Sequence, residues 1–178
     1  PGKVEVVEVF SYACIHCAHF EPLLSQWQAK KMPKGARLEL VPTAFGGVGD
    51  NFARAYYAAE ALGVLASTHD DLFRAVHEER QFQTGSLDEI ADYFAKQGVD
   101  RSKFLAAMTS PETDAKLDKV REFTMAANIQ GTPTLVINGK YTAMTTTERG
   151  FEGQLATAEF LIAKELAAAK ASKPAKSR

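Results

Sequence analysis

The chain has 178 residues, 46% of them hydrophobic, with 21 Lys and Arg against 22 Asp and Glu and a formal net charge of −1. That length suits one domain, or one domain carrying an insertion, with apolar residues enough for a sizeable core. Near-balanced charge argues against a nucleic-acid partner, which would show as a basic face, and no uninterrupted apolar run reaches the length a bilayer needs.

Val4-Glu5-Val6-Val7-Glu8-Val9-Phe10 is β-branched and mostly apolar, which predicts an interior strand. A short turn leads to Cys14, and from Ile15 the spacing becomes helical: Phe20, Leu23, Leu24 and Trp27 fall on one stripe, with Pro22 inside it as an expected kink. Arg37 to Thr43 predicts a second strand, which Pro42 confines to an edge or an end. Strand signals then stop. Phe52, Ala55, Tyr56, Ala59 and Leu62 predict a helix ended by Gly63, and Leu72, Phe73 and Val76 another. Ser86 and Glu89 form a capping box ahead of Ile90, Ala91 and Phe94, with Gly98 as the stop. Asp100 or Ser102 caps a helix carrying Phe104, Leu105 and Met108, which Pro111 ends; a longer helix follows from about Thr113 to near Asn128. Thr134 to Ile137 and Lys140 to Thr145 predict strands joined by a tight Asn138-Gly139 turn. A last helix runs from about Glu152 to Ala169, and the tail from about residue 170 is expected to fray.

This order predicts an α/β fold in two sheet-bearing pieces, residues 1–46 and 113–178, flanking an all-helical insertion over 47–112. The chain begins at Pro1-Gly2-Lys3 with no charged-then-apolar leader, as a processed exported protein or a trimmed chain would.

Both cysteines lie in one C-x-x-C, Cys14 and Cys17. A pair with two residues between its cysteines closes too small a loop to stabilise a fold much, so it asks for a chemical explanation. Thiols react as thiolates, and the first turn of a helix offers unpaired N–H groups and the positive end of its dipole. Cys14 stands where strand gives way to helix, with His16 beside it to add charge or a hydrogen bond; Cys17, one turn on, is close enough to resolve a mixed disulfide. Stabilising the Cys14 thiolate favours the reduced form and makes the disulfide the stronger oxidant, which points to a disulfide donor. Glu8, in an otherwise apolar strand, either relays protons to the cysteines or faces solvent like Glu5. Zinc is the rival for Cys14, Cys17, His16 and His19, but it wants two more ligands; His69 and His77 lie in the helical block and are expected to be solvated or core residues, so no metal is expected.

These features together resemble the DsbA family of periplasmic disulfide oxidases, within the thioredoxin superfamily. The matching residues are Glu8 to Cys17, Phe20-Glu21-Pro22, Gly131-Thr132-Pro133-Thr134 and Val136 to Tyr141, so the likeness covers nearly the whole chain. The resemblance implies a thioredoxin fold interrupted by a helical domain, with Cys14 as nucleophile, Cys17 as resolving thiol, Glu8 as the buried acid, and a cis Pro133 whose neighbour Thr132 pairs with substrate backbone. It further implies a monomeric periplasmic enzyme with no cofactor besides its Cys14–Cys17 disulfide, acting on exported proteins with cysteines and reoxidised by a quinone-linked membrane partner. Two positions depart from the family pattern. Ile15 stands where proline is usual between the cysteines, and Thr132 where valine is usual, as in the related isomerases, so a reductase or isomerase on the same scaffold is the alternative, with a cysteine-based metal-binding module the remote one.

Overall fold

The computed structural model describes residues 3–171. Among them the order is β1 (Val4–Phe10), α1 (Ile15–Lys30), β2 (Ala36–Pro42), α2 (Val48–Ala61), α3 (Leu65–His77), α4 (Leu87–Lys96), α5 (Arg101–Met108), α6 (Pro111–Ala126), β3 (Thr134–Ile137), β4 (Tyr141–Met144) and α7 (Gly150–Ala171). The expected α/β order is therefore present, with five helices between β2 and β3. The tail expected to fray lies, beyond Ala171, outside the described residues. Two compact units emerge from the described residues: residues 3–9, 20–41 and 133–171 form the first, Phe10–His19 and Pro42–Thr132 the second.

In the first unit the strands run β2-β1-β3-β4. β1 pairs antiparallel with β3, Glu8 opposite Leu135, and β3 pairs antiparallel with β4. The apolar run of β1 fits its central place, buried along nearly its whole length. β2 is an edge strand whose last residue is Pro42, as the missing N–H requires. Phe20, Leu24 and Trp27 of α1 and Leu155, Ala158 and Ile162 of α7 share a core with Val4, Val6, Leu135 and Ile137. Leu23 is instead 39% exposed; at 100° per residue it lies on the flank of the Phe20–Leu24–Trp27 stripe. Pro22 is accommodated inside a continuous α1.

Asn138 (φ 53°) and Gly139 (φ 65°) both adopt the left-handed conformation, and the Lys140 N–H donates to the Ile137 carbonyl at 3.0 Å, closing the expected turn. Sequence patterning did not anticipate Glu165, which α7 buries beneath this turn. Its carboxylate accepts from Asn138 Nδ2 at 2.5 Å and Lys140 Nζ at 2.7 Å, and these two partners hold its pKa below the usual carboxylate range. Gln154 is buried on the same helix. It donates to the carbonyls of Pro133 (3.1 Å) and Ala143 (3.0 Å) and accepts from Thr145 Oγ1 (2.5 Å).

The second unit packs α2 against α3, α4, α5 and α6. Gly63 and Gly98 end α2 and α4 at positive φ, as expected. Ser86 caps α4 by accepting from the Glu89 N–H at 3.2 Å, but Glu89 does not return to Ser86; its carboxylate accepts from the Thr84 and Gly85 amides at 2.9 and 2.8 Å. Asp100 rather than Ser102 caps α5. Pro111 was expected to stop that helix; instead it opens α6, capped by Ser110, at a position where its missing N–H costs nothing. α6 then ends at Ala126, two residues before Asn128 turns left-handed at φ 51°. Phe104 and Met108 are fully buried while Leu105, expected on their stripe, is half-buried.

Candidate active site

Cys14, Cys17 and Thr132 all belong to the second unit. The backbone leaves β1 at Phe10 and turns sharply: the Cys14 N–H donates to the Ser11 carbonyl at 3.0 Å, and Ser11 Oγ accepts from the Ala13 N–H at 3.2 Å. The next residue starts α1, and the Cys14 carbonyl accepts from the Ala18 N–H at 3.1 Å, so Cys14 sits at the N-cap of the helix. Its sulfur is half-buried and lies 3.5 Å from the Thr132 carbonyl oxygen; Cys17 is fully buried, and both are free thiols.

This placement splits the two thiols in opposite directions. The Cys14 pKa falls from 9.0 to about 5. The largest cause is the hydrogen bond from the Cys17 thiol; the Thr132 side chain and the backbone N–H groups of Cys17 and His16 add to it, and together they outweigh the penalty of partial burial. The Cys17 pKa is pushed up, first by the hydrogen bond it donates to Cys14 and then by burial. Two thiols three residues apart thus become a poised thiolate and a retained proton.

The other expected site residues divide by unit. Ile15 is 43% exposed and the His16 side chain is exposed too, so the contribution of His16 to Cys14 comes through its backbone N–H. Thr132 reaches Cys14 as described. Glu8 and Pro133 belong to the first unit. Glu8 is 1% exposed, which removes the solvent-facing alternative, and Arg37 pairs with Glu5 and Glu39 on the exposed side of the sheet. Pro133 leads directly into β3, its carbonyl held by Gln154.

Thr132 carries a testable share of the thiolate's stabilisation. Thr132→Val keeps the shape and removes the hydroxyl, so the Cys14 pKa is expected to rise, read from the thiolate absorbance step; an unmoved step would remove Thr132 from the account.

Three features escaped sequence reasoning. The Tyr12 hydroxyl meets His69 Nδ1 at 2.6 Å, and the Tyr12 carbonyl accepts from His77 Nε2 at 2.7 Å, so both histidines of α3 grip the residue two before Cys14. Helical spacing flags His69 and His77 only as two residues eight apart, about 80° from each other around the helix. Second, Asp50 and Arg121 brace the loop after β2. Third, that loop carries Phe45, 59% exposed, into a cavity of about 240 Å³ bordered also by Ser11, Cys14 and Thr132. The Gly46-Gly47 pair was the available sign of a special backbone there.

The geometry has counterparts. Residues 2–156 match the family model described as thioredoxin. The thiol:disulfide interchange protein DsbA of Pseudomonas aeruginosa is 38% identical over 170 residues, spanning 96% of this chain and 80% of that protein. Among solved structures, DsbA from Xylella fastidiosa superposes with a TM-score of 0.86 at 40% identity, covering 93% of this chain and 88% of its own. NmDsbA1 from Neisseria meningitidis gives 0.78 at 31% identity, covering 95% and 86%. A thioredoxin fold with a helical insertion thus recurs in relatives of known name, and the chain belongs to the DsbA family of thiol:disulfide oxidoreductases.

Proposed function

We propose that the protein donates its Cys14–Cys17 disulfide to cysteines of exported proteins in the periplasm. The observation that carries the direction of transfer is the depressed Cys14 pKa, near 5. A client thiolate attacks Cys14 Sγ; the Cys14–Cys17 bond breaks, its electron pair stays on the Cys17 sulfur, and that sulfur takes up a proton. A second client thiolate then attacks the client sulfur of the mixed disulfide. The client leaves with a new disulfide, and Cys14 leaves as a thiolate. Its low pKa makes it a good leaving group, so the second step runs forward and the reduced enzyme is the stable product. The client has lost two electrons and the enzyme has gained them.

In this reading Cys17 resolves, Glu8 exchanges the proton of Cys17, and Thr132 and Pro133 border the client backbone. His16 and Ile15, exposed between the cysteines, tune the potential and meet clients. The enzyme works as a monomer with no cofactor beyond the cysteine pair, and a quinone-linked membrane protein takes the two electrons away.

The test is the reduction potential of the couple in glutathione buffers, followed by thiol trapping. A value well above thioredoxin's, about −270 mV, is expected. A value at or below it would make the protein a reductant, with Ile15 and Thr132 as its marks.

A further inference from the structure

The cavity beside Cys14 lies wholly within the second unit. Ser11, Ala13, Cys14, Thr43, Phe45, Gly46, Gly49 and Thr132 border it. None of them but Cys14 carries a charge, and the charge of Cys14 is lost once a client sulfur bonds it. Its volume, about 240 Å³, is below the roughly 300–1,000 Å³ of small-molecule sites and suits one side chain. Phe45 forms its apolar wall and is 59% exposed.

The loop holding that ring is braced. The Thr43 N–H donates to the Phe10 carbonyl at 2.7 Å. Arg121 of α6 donates through Nε to the Ala44 carbonyl at 3.3 Å and through Nη2 to Asp50 at 2.8 Å. Asp50 in turn accepts from the Gly46 N–H at 2.7 Å. Gly46 (φ 101°) and Gly47 (φ 68°) adopt backbone that other residues resist, which lets the chain reverse directly behind the ring. Arg121 pairs with both Asp50 and Asp118, and none of these three side chains borders the cavity.

We propose that Phe45 is a specificity-determining residue: the cavity receives the client side chain next to the cysteine bonded to Cys14, and it selects an uncharged, apolar one. The inference rests on reading Cys14 as the sulfur that joins the client. Since Cys14 borders the cavity, a client whose sulfur bonds it brings an adjacent side chain within reach of the same walls. A leucine or phenylalanine there buries carbon against the Phe45 ring. An aspartate or lysine would shed water with no charged partner to meet it.

The test uses the full chain carrying Cys17→Ser, which stops at the mixed disulfide, and peptides whose single cysteine is activated with thionitrobenzoate. The Cys14 thiolate attacks the peptide sulfur, the Cys14–peptide disulfide forms, and coloured thionitrobenzoate leaves with the electron pair. This step does not depend on whether the enzyme is an oxidant or a reductant. Rates are normalised to those with N-acetylcysteine, with Leu, Phe, Asp or Lys placed on either side of the peptide cysteine. The apolar peptides are expected to react roughly tenfold faster than the acidic one at one flanking position, the effect of one or two buried methylenes. Phe45→Ala is expected to shrink that ratio below about threefold, Phe45→Leu to restore it, and Phe45→Lys to turn the preference toward Asp. A flat response at both positions, or a ratio unmoved by Phe45→Ala and Phe45→Lys, overturns the inference. Failure to form any Cys14 adduct overturns it together with the catalytic reading beneath it.

Discussion

Ultraviolet titration of the reduced protein is expected to show one thiolate forming near pH 5 and no second one up to pH 10. The first is Cys14, whose pKa lies at about 5; Cys17 holds its proton because it donates to that thiolate and is buried. At neutral pH Cys14 is then roughly 99% ionised, where an ordinary thiol of pKa about 8.5 is only a few per cent ionised. Alkylation of Cys14 should accordingly be flat above about pH 6 and fall about tenfold per unit well below pH 5. The Cys14→Ser variant should lose both the absorbance step and all exchange activity.

The same asymmetry fixes two linked quantities. Between pH 5 and the pKa of an unfolded cysteine, the unfolded reduced chain binds a proton at Cys14 that the folded chain does not, so the stability of the reduced protein rises with pH across that window. The contribution is complete above the unfolded pKa and gone below about pH 5. The oxidised protein has neither thiol, so the stability difference between reduced and oxidised forms isolates the effect. In the same window reduction takes up one proton for two electrons, and the potential should fall by only about 30 mV per pH unit, half the slope of a couple that binds two protons. A thiolate step at pH 8 or above, or a slope of about 59 mV throughout, would sink the account of Cys14.

Phe104→Ala is expected to be the most damaging substitution outside the active site, at roughly 3–5 kcal/mol. The Phe104 ring stacks on Phe94 with centroids 3.9 Å apart and planes 19° from parallel, and both side chains are fully buried where α4 and α5 meet. Truncation removes the whole ring and leaves a void that neighbouring helices fill only in part. Phe94 loses its stacking partner, and Met108, one turn on, loses a neighbour. Urea denaturation followed by circular dichroism gives the cost directly. Leu105→Ala, on the half-buried flank of the same helix, provides the contrast and should cost about 1 kcal/mol or less. Equal midpoints for the two variants would show that the stacked pair does not anchor this unit.

What the sequence disclosed and what it hid divide along one physical line. β1, the turn to Cys14 and the Asn138-Gly139 turn were legible because short-range sterics and hydrophobic period decide them. Helix-end electrostatics, also local, points to Cys14 over Cys17 as the acidic thiol, but the largest cause is the hydrogen bond from the Cys17 thiol, which spacing does not show. Of the Ser86–Glu89 capping box only the Ser86 half is present; the Glu89 carboxylate serves Thr84 and Gly85, a choice made by loop geometry that no spacing encodes. The grip of His69 and His77 on Tyr12, the Arg121–Asp50 brace and the burial of Glu165 join positions 25 to 71 residues apart. Each depends on how helices pack, and each involves a residue type that is more often solvated. Pro111 shows the local rules themselves being ambiguous: the same ring that cannot continue one helix is well suited to begin the next.

The two edges of the sheet carry a consequence for the chain's behaviour at high concentration. β2 ends on Pro42 and presents Arg37 and Glu39 outward; β4 is four residues long and alternates exposed with buried positions. A strand border that is charged on one side and cut short on the other offers little template for a second chain to add to. Misassembly during folding should therefore proceed poorly by edge-to-edge strand addition, and lengthening β4 or neutralising Arg37 and Glu39 together should make fibrillar aggregates where the parent chain makes none.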